Sequence, residues 1–227
     1  EFRATPAVQD HKRAYEGDEG PNTGGMGSYS DTSPSLPFMR DGDYDAALDV
    51  IQAVVEALPA YKGVLYGQFM LTATGPKVIE FNARFGDPEA MNTLPVLEVP
   101  FIDVVTAARD DDPLPAIDVS GAATVCKYAV PQGYPTDPDS GARIAVDEES
   151  AGDALLYYAS VDERDDGLYT TTSRSFAVVG RGDSIEAAEA EASEALAAAG
   201  DRVRIRKDIG TQALLDRRVT HMRELRE

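Results

Sequence analysis

Glu80-Phe81-Asn82-Ala83-Arg84-Phe85-Gly86-Asp87-Pro88-Glu89 is the stretch whose reading decides the fold, with two earlier segments as its counterparts. These are Gln9-Asp10-His11-Lys12-Arg13 and Gly20-Pro21-Asn22-Thr23-Gly24-Gly25-Met26-Gly27. Read as a strand, residues 77–82 put Val78, Glu80 and Asn82 on one face and Lys77, Ile79 and Phe81 on the other. A carboxylate and a carboxamide then project side by side. Both are hard oxygen donors of the kind a divalent cation takes from one or two protein groups, with substrate phosphates completing its shell. Alternating Glu and Asn also occurs on solvated strand faces, so the neighbouring residues must carry the reading further. Arg84 can pair bidentately with a phosphate or a carboxylate. Gly86 permits a tight turn, and Asp87 or Glu89 can accept from an amine.

The earlier segments supply complementary chemistry. Three glycines within 24–27 free the backbone and let its N–H groups converge on an oxyanion, although a flexible loop reads the same way. Asn22 and Thr23 add side-chain hydrogen bonds that a mere linker does not need. His11, Lys12 and Arg13 form a cationic cluster in a chain whose formal net charge is -19. Such a triplet suits phosphate, and also a solvated surface.

The rest of the chain bounds the fold. Its 227 residues, 43% of them hydrophobic, suffice for one large domain or two small ones. Residues 43–58 predict a helix, with Leu48, Ile51, Val55 and Leu58 at helical spacing and acids in the first turn. Residues 64–72 and 77–82 predict two strands joined by Ala73-Thr74-Gly75-Pro76 as a hairpin. Residues 89–109 predict a helix interrupted near Pro95 and Pro100. The acidic, proline-rich Asp110-Asp111-Asp112-Pro113-Leu114-Pro115 marks a boundary, giving domains 1–115 and 116–227. Beyond it come strands over 122–131, 142–146, 154–161 and 169–179. A helix over 184–199 follows, capped by Ser184, ended by Gly200 and packed through Ile185, Ala188, Ala192, Leu196 and Ala199. A strand over 203–205 and a helix over 211–225 complete an α+β protein without internal repeats.

Cys126, the single cysteine, lies in an apolar run and reads as a buried structural thiol, which excludes a disulfide framework. The apolar runs are too short to span a bilayer, and the charged start, Glu1-Phe2-Arg3-Ala4-Thr5, carries no signal-peptide pattern. No membrane partner is expected and a cytoplasmic location fits. With 40 acidic and 21 basic residues, the chain also lacks the clustered cations that nucleic acid requires. The acids are scattered over turns and exposed faces, as in Asp162-Glu163-Arg164-Asp165-Asp166. This pattern suits a surface adapted to concentrated salt, in which screening removes self-repulsion.

The quoted segments, together with Val64-Leu65-Tyr66-Gly67, resemble the glycinamide ribonucleotide synthetase family of ATP-grasp ligases. Arg206-Lys207-Asp208-Ile209-Gly210 resembles that family's C-terminal signature, and Gly133-Tyr134-Pro135 fits it too. The resemblance covers nearly the whole chain. It implies the later part of an ATP-grasp catalytic domain, an antiparallel sheet with helices, followed by a small α+β C-terminal domain. The family's N-terminal domain and ATP-covering lid have no counterpart, so the chain alone is expected to be inactive. Gln68, Phe69 and the pair Val99-Pro100 depart from the commoner pattern.

The implied reaction takes ATP, glycine and 5-phosphoribosylamine to glycinamide ribonucleotide, ADP and phosphate through glycyl phosphate. The implied roles place Mg²⁺ or Mn²⁺ on Glu80 and Asn82, and chemistry or orientation on Arg84, Asp10 and Asp87. Substrate binding falls to Asn22, Thr23, Gly24, Gly25, Lys12, Arg206 and Lys207, the last two with a salt-bridging structural role as the alternative. Partners are small molecules, and a monomer is expected. Another ATP-grasp carboxylate–amine ligase and a non-catalytic scaffold piece are the rival readings.

If the acidic surface is tuned to salt, the thermal midpoint rises between ~0.1 M and ~1 M KCl, as the screening length falls from about 10 Å to about 3 Å. A melting series that is flat or falls with salt rules that reading out.

Overall fold

The computed structural model describes residues 1–146, 148–197 and 199–227. Asp147, in one of the acidic runs, and Ala198, inside the expected 184–199 helix, lie outside the described residues. The first part contains strands β1 (Gln9–Asp10), β2 (Arg13–Tyr15), β3 (Glu19–Asn22) and β4 (Gly27–Ser30). Helix α1 (Asp43–Ala57), strands β5 (Tyr66–Thr72) and β6 (Gly75–Asn82), and helices α2 (Glu89–Thr93) and α3 (Phe101–Asp110) follow. The later part contains β7 (Ala123–Pro131), β8 (Arg143–Ile144), β9 (Leu155–Tyr158), β10 (Val161–Arg164), β11 (Gly167–Thr170) and β12 (Phe176–Gly182). Helix α4 (Ile185–Ala195), β13 (Val203–Ile205) and α5 (Gln212–Arg226) complete the α+β arrangement. No described helix is long and apolar enough to cross a membrane.

The main sheet has six strands in the order β1-β4-β7-β12-β9, with β13 also paired to β7. Every residue of β7 is buried. Its residue Lys127 pairs with Gly27 on one side and Val178 on the other, and Ala129 pairs with Ile205 and Phe176. One edge of β7 is therefore shared by β4 and β13, while β12 takes the other. The sheet draws β1 and β4 from before the expected boundary near 115 and its other four strands from after it. Polar side chains are buried on β4, and its two serine hydroxyls are satisfied. Ser28 Oγ donates to Asn92 Oδ1, Ser30 Oγ lies 2.7 Å from Thr124 Oγ1, and Asn92 Nδ2 donates to Thr124 Oγ1 at 2.9 Å.

The expected hairpin is present, with Thr72 opposite Gly75 and Tyr66 opposite Asn82. Helix α1 lies against it; a Cβ on Gly67 would come 2.8 Å from Ile51 Cδ1. Leu58, assigned to the apolar face of that helix, lies past its end and is exposed. The 89–109 segment breaks as its prolines imply, into α2, a 3-10 turn over Leu94–Val96, and α3. Three expectations differ. The 154–161 strand is two, β9 and β10, and the 169–179 strand divides into β11 and β12 with a corner between them. The α-helical part of α4 ends at Ala195, earlier than expected. Its cap holds, since Ser184 Oγ accepts from Ala187 N at 3.1 Å, and Ile185, Ala188, Ala192, Leu196 and Ala199 are all buried.

Helix α4 packs directly on β12. Gly180 has no side chain because a Cβ there would stand 2.0 Å from the Ala188 carbonyl oxygen and 2.6 Å from Ala192 N. Gly180→Ala is expected to force the helix off the sheet and destabilise the protein by about 1–3 kcal/mol. An unchanged urea midpoint would contradict this packing.

Candidate functional site

Hairpin β5–β6 positions the candidate cation ligands. Gln68 pairs with Glu80, but Phe69 pairs with Val78, so a bulge leaves Ile79 unmatched. Glu80 and Asn82 share a face as expected, and Asn82 Nδ2 donates to Glu80 Oε1 at 2.9 Å. The bulge interrupts the alternation that was expected to include Val78, and Val78 and Ile79 are both exposed. The pair leaves Asn82 Oδ1 and the second Glu80 oxygen as adjacent hard donors. Among the described residues no three His, Cys, Asp or Glu side chains converge as a self-sufficient metal cage. The donor set therefore fits Mg²⁺ or Mn²⁺ bound through one or two protein oxygens and completed by phosphates.

The segment after β6 folds back beneath this pair. Arg84 is exposed, with Nη1 donating to the Phe85 carbonyl at 2.7 Å. Gly86 is enclosed; a Cβ there would lie 2.5 Å from Glu89 Oε2 and 2.8 Å from Tyr66 Cε2. Glu89 opens α2, is 7% exposed, and accepts the Tyr66 hydroxyl at 2.6 Å. Burial, followed by the neighbouring Glu89 charge, pushes the Tyr66 hydroxyl well above its ordinary range. Asp87 accepts from Tyr128 Oη at 2.7 Å and from Arg174 Nη2 at 2.9 Å.

The glycine loop closes the third side. Two of the amides expected to converge on an oxyanion are engaged within the protein. Gly25 N donates to Thr23 Oγ1 at 3.0 Å and Met26 N donates to the His11 carbonyl at 2.8 Å. Thr23 Oγ1 in turn donates to the Lys12 carbonyl at 2.9 Å, while Asn22 sits exposed opposite Arg13. What the glycines provide is close approach. Gly25 has φ +121°, and a Cβ there would meet Pro88 Cδ at 2.6 Å and Asp10 Oδ1 at 2.8 Å. Asp10 is thereby brought against the 87–89 segment. Its side chain is 7% exposed and its Oδ2 lies 2.5 Å from Lys12 Nζ. Burial, then the charge of Glu89, pushes the Asp10 carboxyl up to about 6.

Arg174, which the sequence reading missed, holds these parts together. Its Nη1 donates to the Gly24 and Gly25 carbonyls at 3.3 and 3.1 Å, and its guanidinium stacks 4.3 Å from the Tyr128 ring centroid. With its bond to Asp87, one side chain joins the glycine loop, the 84–89 segment and β7. Its only signal in the sequence is a lone arginine in Thr170-Thr171-Thr172-Ser173-Arg174-Ser175.

Arg206 and Lys207 belong to a different cluster. Arg206 is fully buried, donating to Asp208 at 2.7 Å, Asp18 at 3.1 Å and the Arg13 carbonyl at 3.0 Å. Lys207 is exposed, and its carbonyl accepts from Lys127 Nζ at 3.0 Å. Cys126 is buried, free and pushed upward by desolvation, as a structural thiol should be.

Family models for phosphoribosylglycinamide synthetase match this chain twice. Its ATP-grasp (A) domain matches residues 1–90 and its C domain residues 124–212. Phosphoribosylamine–glycine ligases of Methanosarcina acetivorans and Methanosarcina barkeri are each 54% identical to it, over 97% of this chain and 51% and 52% of theirs. The chain spans about half the length of the curated relatives it matches. The crystal structure of the Thermotoga maritima phosphoribosylamine–glycine ligase has a TM-score of 0.77 at 29% identity, covering 92% of this chain and 52% of that one. The N5-carboxyaminoimidazole ribonucleotide synthetase of Thermotoga maritima, at 16% identity and TM-score 0.56, shares the fold; the match covers 79% of this chain and 45% of that one.

A carboxyl raised from 3.8 to about 6 on folding holds its proton in the native state when the unfolded chain has already lost it. Stability from this group therefore falls as pH rises through that interval and stays low above it. Asp10→Asn is expected to stabilise the fold above about pH 6 and to lose that advantage below the ordinary 3.8, as followed by urea melts across pH. A constant difference at all pH values would contradict the buried, charge-opposed setting.

Proposed function

The chain belongs to the phosphoribosylglycinamide synthetase family, and on that footing we propose that it serves the ATP-dependent ligation of glycine to 5-phosphoribosylamine. The observation that carries this reading is the convergence of three separated segments. Arg174 joins the glycine loop to Asp87, Gly25 sets Asp10 against Pro88, and Tyr66, opposite Asn82 on the hairpin, donates to Glu89. Relatives bearing the ligase name match across both halves of that arrangement.

The chemistry has two displacements. A glycine carboxylate oxygen attacks the γ-phosphorus of ATP, and ADP leaves with the electron pair of the broken P–O bond. The neutral amine of 5-phosphoribosylamine then attacks the acyl carbon of glycyl phosphate. Phosphate departs with the C–O electron pair, and the amine loses a proton. Neither step needs a nucleophile from the protein, so its task is positioning and electrostatic stabilisation.

Glu80 and Asn82 are the residues that would hold Mg²⁺ or Mn²⁺, which when bound supplies positive charge to the phosphates. Arg84 has an exposed guanidinium adjacent to that pair and suits a phosphoryl or acyl-phosphate oxygen. Lys12 lies at the surface side of Asp10, within reach of an anion at the mouth. Asp87, fixed by Tyr128 and Arg174, orients a substrate group through its half-exposed carboxylate. Thr23, Gly24 and Gly25 shape the wall on which the substrate rests, with Asn22 at its outer end. Arg206 serves by locking the 13–18 segment to β13, because its guanidinium already faces Asp18 and Asp208. The partners are small molecules, and the net charge of -19 supports their being other than nucleic acid. A monomer in the cytoplasm remains our reading.

Glu80→Gln in the gene's full-length product tests the proposal. Turnover is expected to fall by roughly a thousandfold, since a metal-held transition-state charge loses its anchor. The thermal midpoint should hold because Glu80 is exposed. Turnover close to that of the unaltered protein would remove Glu80 from the cation site.

A further inference from the structure

His11 does not join Lys12 and Arg13 in a cationic cluster, as the triplet suggested. Its side chain is buried, with 1% exposure, and its ring centroid lies 5.6 Å from that of Tyr29. Neither ring nitrogen has a hydrogen-bond partner among the described residues, and the buried Tyr29 hydroxyl of β4 has none either. The charges that act on the imidazole come from three further elements. Asp18 lies in the turn between β2 and β3, Arg206 and Asp208 follow β13, and Arg218 stands on α5.

Both of those carboxylates are already engaged. Asp18 accepts from Arg206 Nη1 at 3.1 Å, Arg217 Nη2 at 3.1 Å and Arg218 Nη2 at 2.8 Å. Asp208 accepts from Arg206 Nε and Nη2 at 2.9 and 2.7 Å, and from Gly17 N at 3.0 Å. Three guanidinium groups thus stand against two carboxylates. A protonated imidazole would be a fourth cation, buried, with no anion left to pair with it. Burial first, and then the Arg206 charge, hold the imidazole well below its ordinary 6.5, and Asp18 and Asp208 offset only part of this.

The backbone around His11 holds the glycine loop. His11 N donates to the Gly27 carbonyl at 3.0 Å, and the His11 carbonyl accepts from Met26 N at 2.8 Å. The next carbonyl, of Lys12, accepts from Thr23 N at 2.7 Å and Thr23 Oγ1 at 2.9 Å. Both ends of the loop are therefore tied to residues 11 and 12, whose seat is the buried ring. We propose that His11 is a positioning residue for the glycine loop and works as an acid-sensitive latch. Uncharged, its ring stays buried and keeps the loop docked; on taking up a proton from solvent it leaves, and the loop is released with it. Anything that binds only the docked loop then competes with a proton at His11. The latch touches no substrate and does not depend on the ligation proposed above.

The sign follows from linkage. Below 6.5 the released imidazole is charged and the buried one is not, so docking weakens as pH falls. The experiment follows amide hydrogen exchange in the full-length product and in His11→Gln and His11→Phe, neither of which titrates at this position; the second keeps a ring against Tyr29 should the first fail to fold. The reporters are the amides of Thr23, Gly25 and Met26. As pH falls from ~7 to ~5, their opening in the unaltered protein relative to either variant is expected to rise at least about tenfold, since release takes up one proton. Asp10 works in the opposite sense, because burial and the Glu89 charge make it hold a proton that release would free, but it is present in all three proteins and cancels in the ratio. The amides of β12, across β7 from the loop, should keep the same ratio at both pH values. An equal rise at β12 assigns the effect to the whole fold and overturns the latch, as does a loop ratio that does not move. A second measurement needs no variant. The His11 ring signal in the NMR spectrum, identified by its contact with Tyr29, should stay fixed between ~pH 8 and ~pH 5. A shift centred near 6.5 with the loop amides still protected would show the charge tolerated in place, and the latch would fall.

Discussion

A strand that is buried at every residue and bonded on both edges is the constraint from which the rest follows. β7 places the strand leaving the glycine loop and the strand following Arg174 on opposite sides of one backbone. Its hydrogen bonds fix both in register, so groups from distant parts of the chain meet with little freedom. Burial is severe enough to enclose Lys127, whose Nζ reaches Glu189 at 2.5 Å, Ser193 Oγ at 3.1 Å and the Lys207 carbonyl. Desolvation lowers the affinity of that ammonium for its proton, and the carboxylate and acceptors around it restrain the loss. The same three bonds tie β7 to α4 and to the segment beyond β13. The scaffold is thus cross-linked by polar groups as well as by its apolar core.

The parts of the fold legible in the sequence are those in which one periodicity runs for several residues. The hairpin, α1, α4 and α5 have it, and their turns and caps carry Gly75, Ser184 and Thr211 where the backbone requires them. The strands around the glycine loop do not. β1 has two residues, and β4 is Gly-Ser-Tyr-Ser, polar yet wholly buried. Its serine hydroxyls find partners on α2 and β7, in Asn92 and Thr124, about 60 and 90 residues away in the chain. No local pattern can announce a partner at that distance. A buried serine strand accordingly reads as a loop until the groups that satisfy it are in place.

Arg174 was hidden for a related reason. Thr170, Thr171 and Thr172 favour extended backbone by β-branching, so β11 and β12 read as one strand. The chain instead turns there, since β11 pairs with β8 and β10 while β12 pairs with β7 and β9. The corner between two sheets is where the arginine can reach inward. Similarly, the oxygen donors at 80 and 82 were readable from alternation, whereas the bulge at Ile79 was set by pairing to β5. The carboxylates at 10 and 89 were each visible. Their approach was not, because it depends on Gly25 letting the glycine loop lie against both Asp10 and Pro88.

A two-stranded hairpin is a weak mount for a cation site, being marginal by itself in water. Here α1 supports one side, and α5 braces the turn end from the opposite direction in sequence. Arg226 Nε donates to the Thr72 carbonyl at 3.3 Å, and Arg226 Nη1 lies 2.9 Å from Asp43 Oδ2, with both side chains 5% exposed. Asp43 also accepts from Arg40 N and stands in the first turn of α1, where a negative charge is favoured by the helix dipole. One guanidinium consequently joins the start of α1, the end of β5 and the last turn of α5. At its other end, α5 directs Arg217 and Arg218 to Asp18, the residue that also receives Arg206. The helix therefore spans from the loop that follows the cationic triplet to the hairpin that bears Glu80. Neither end depends on an exposed pair acting alone, which would contribute little. The geometry of the candidate site is maintained from outside it, by ion pairs that its own ligands do not share.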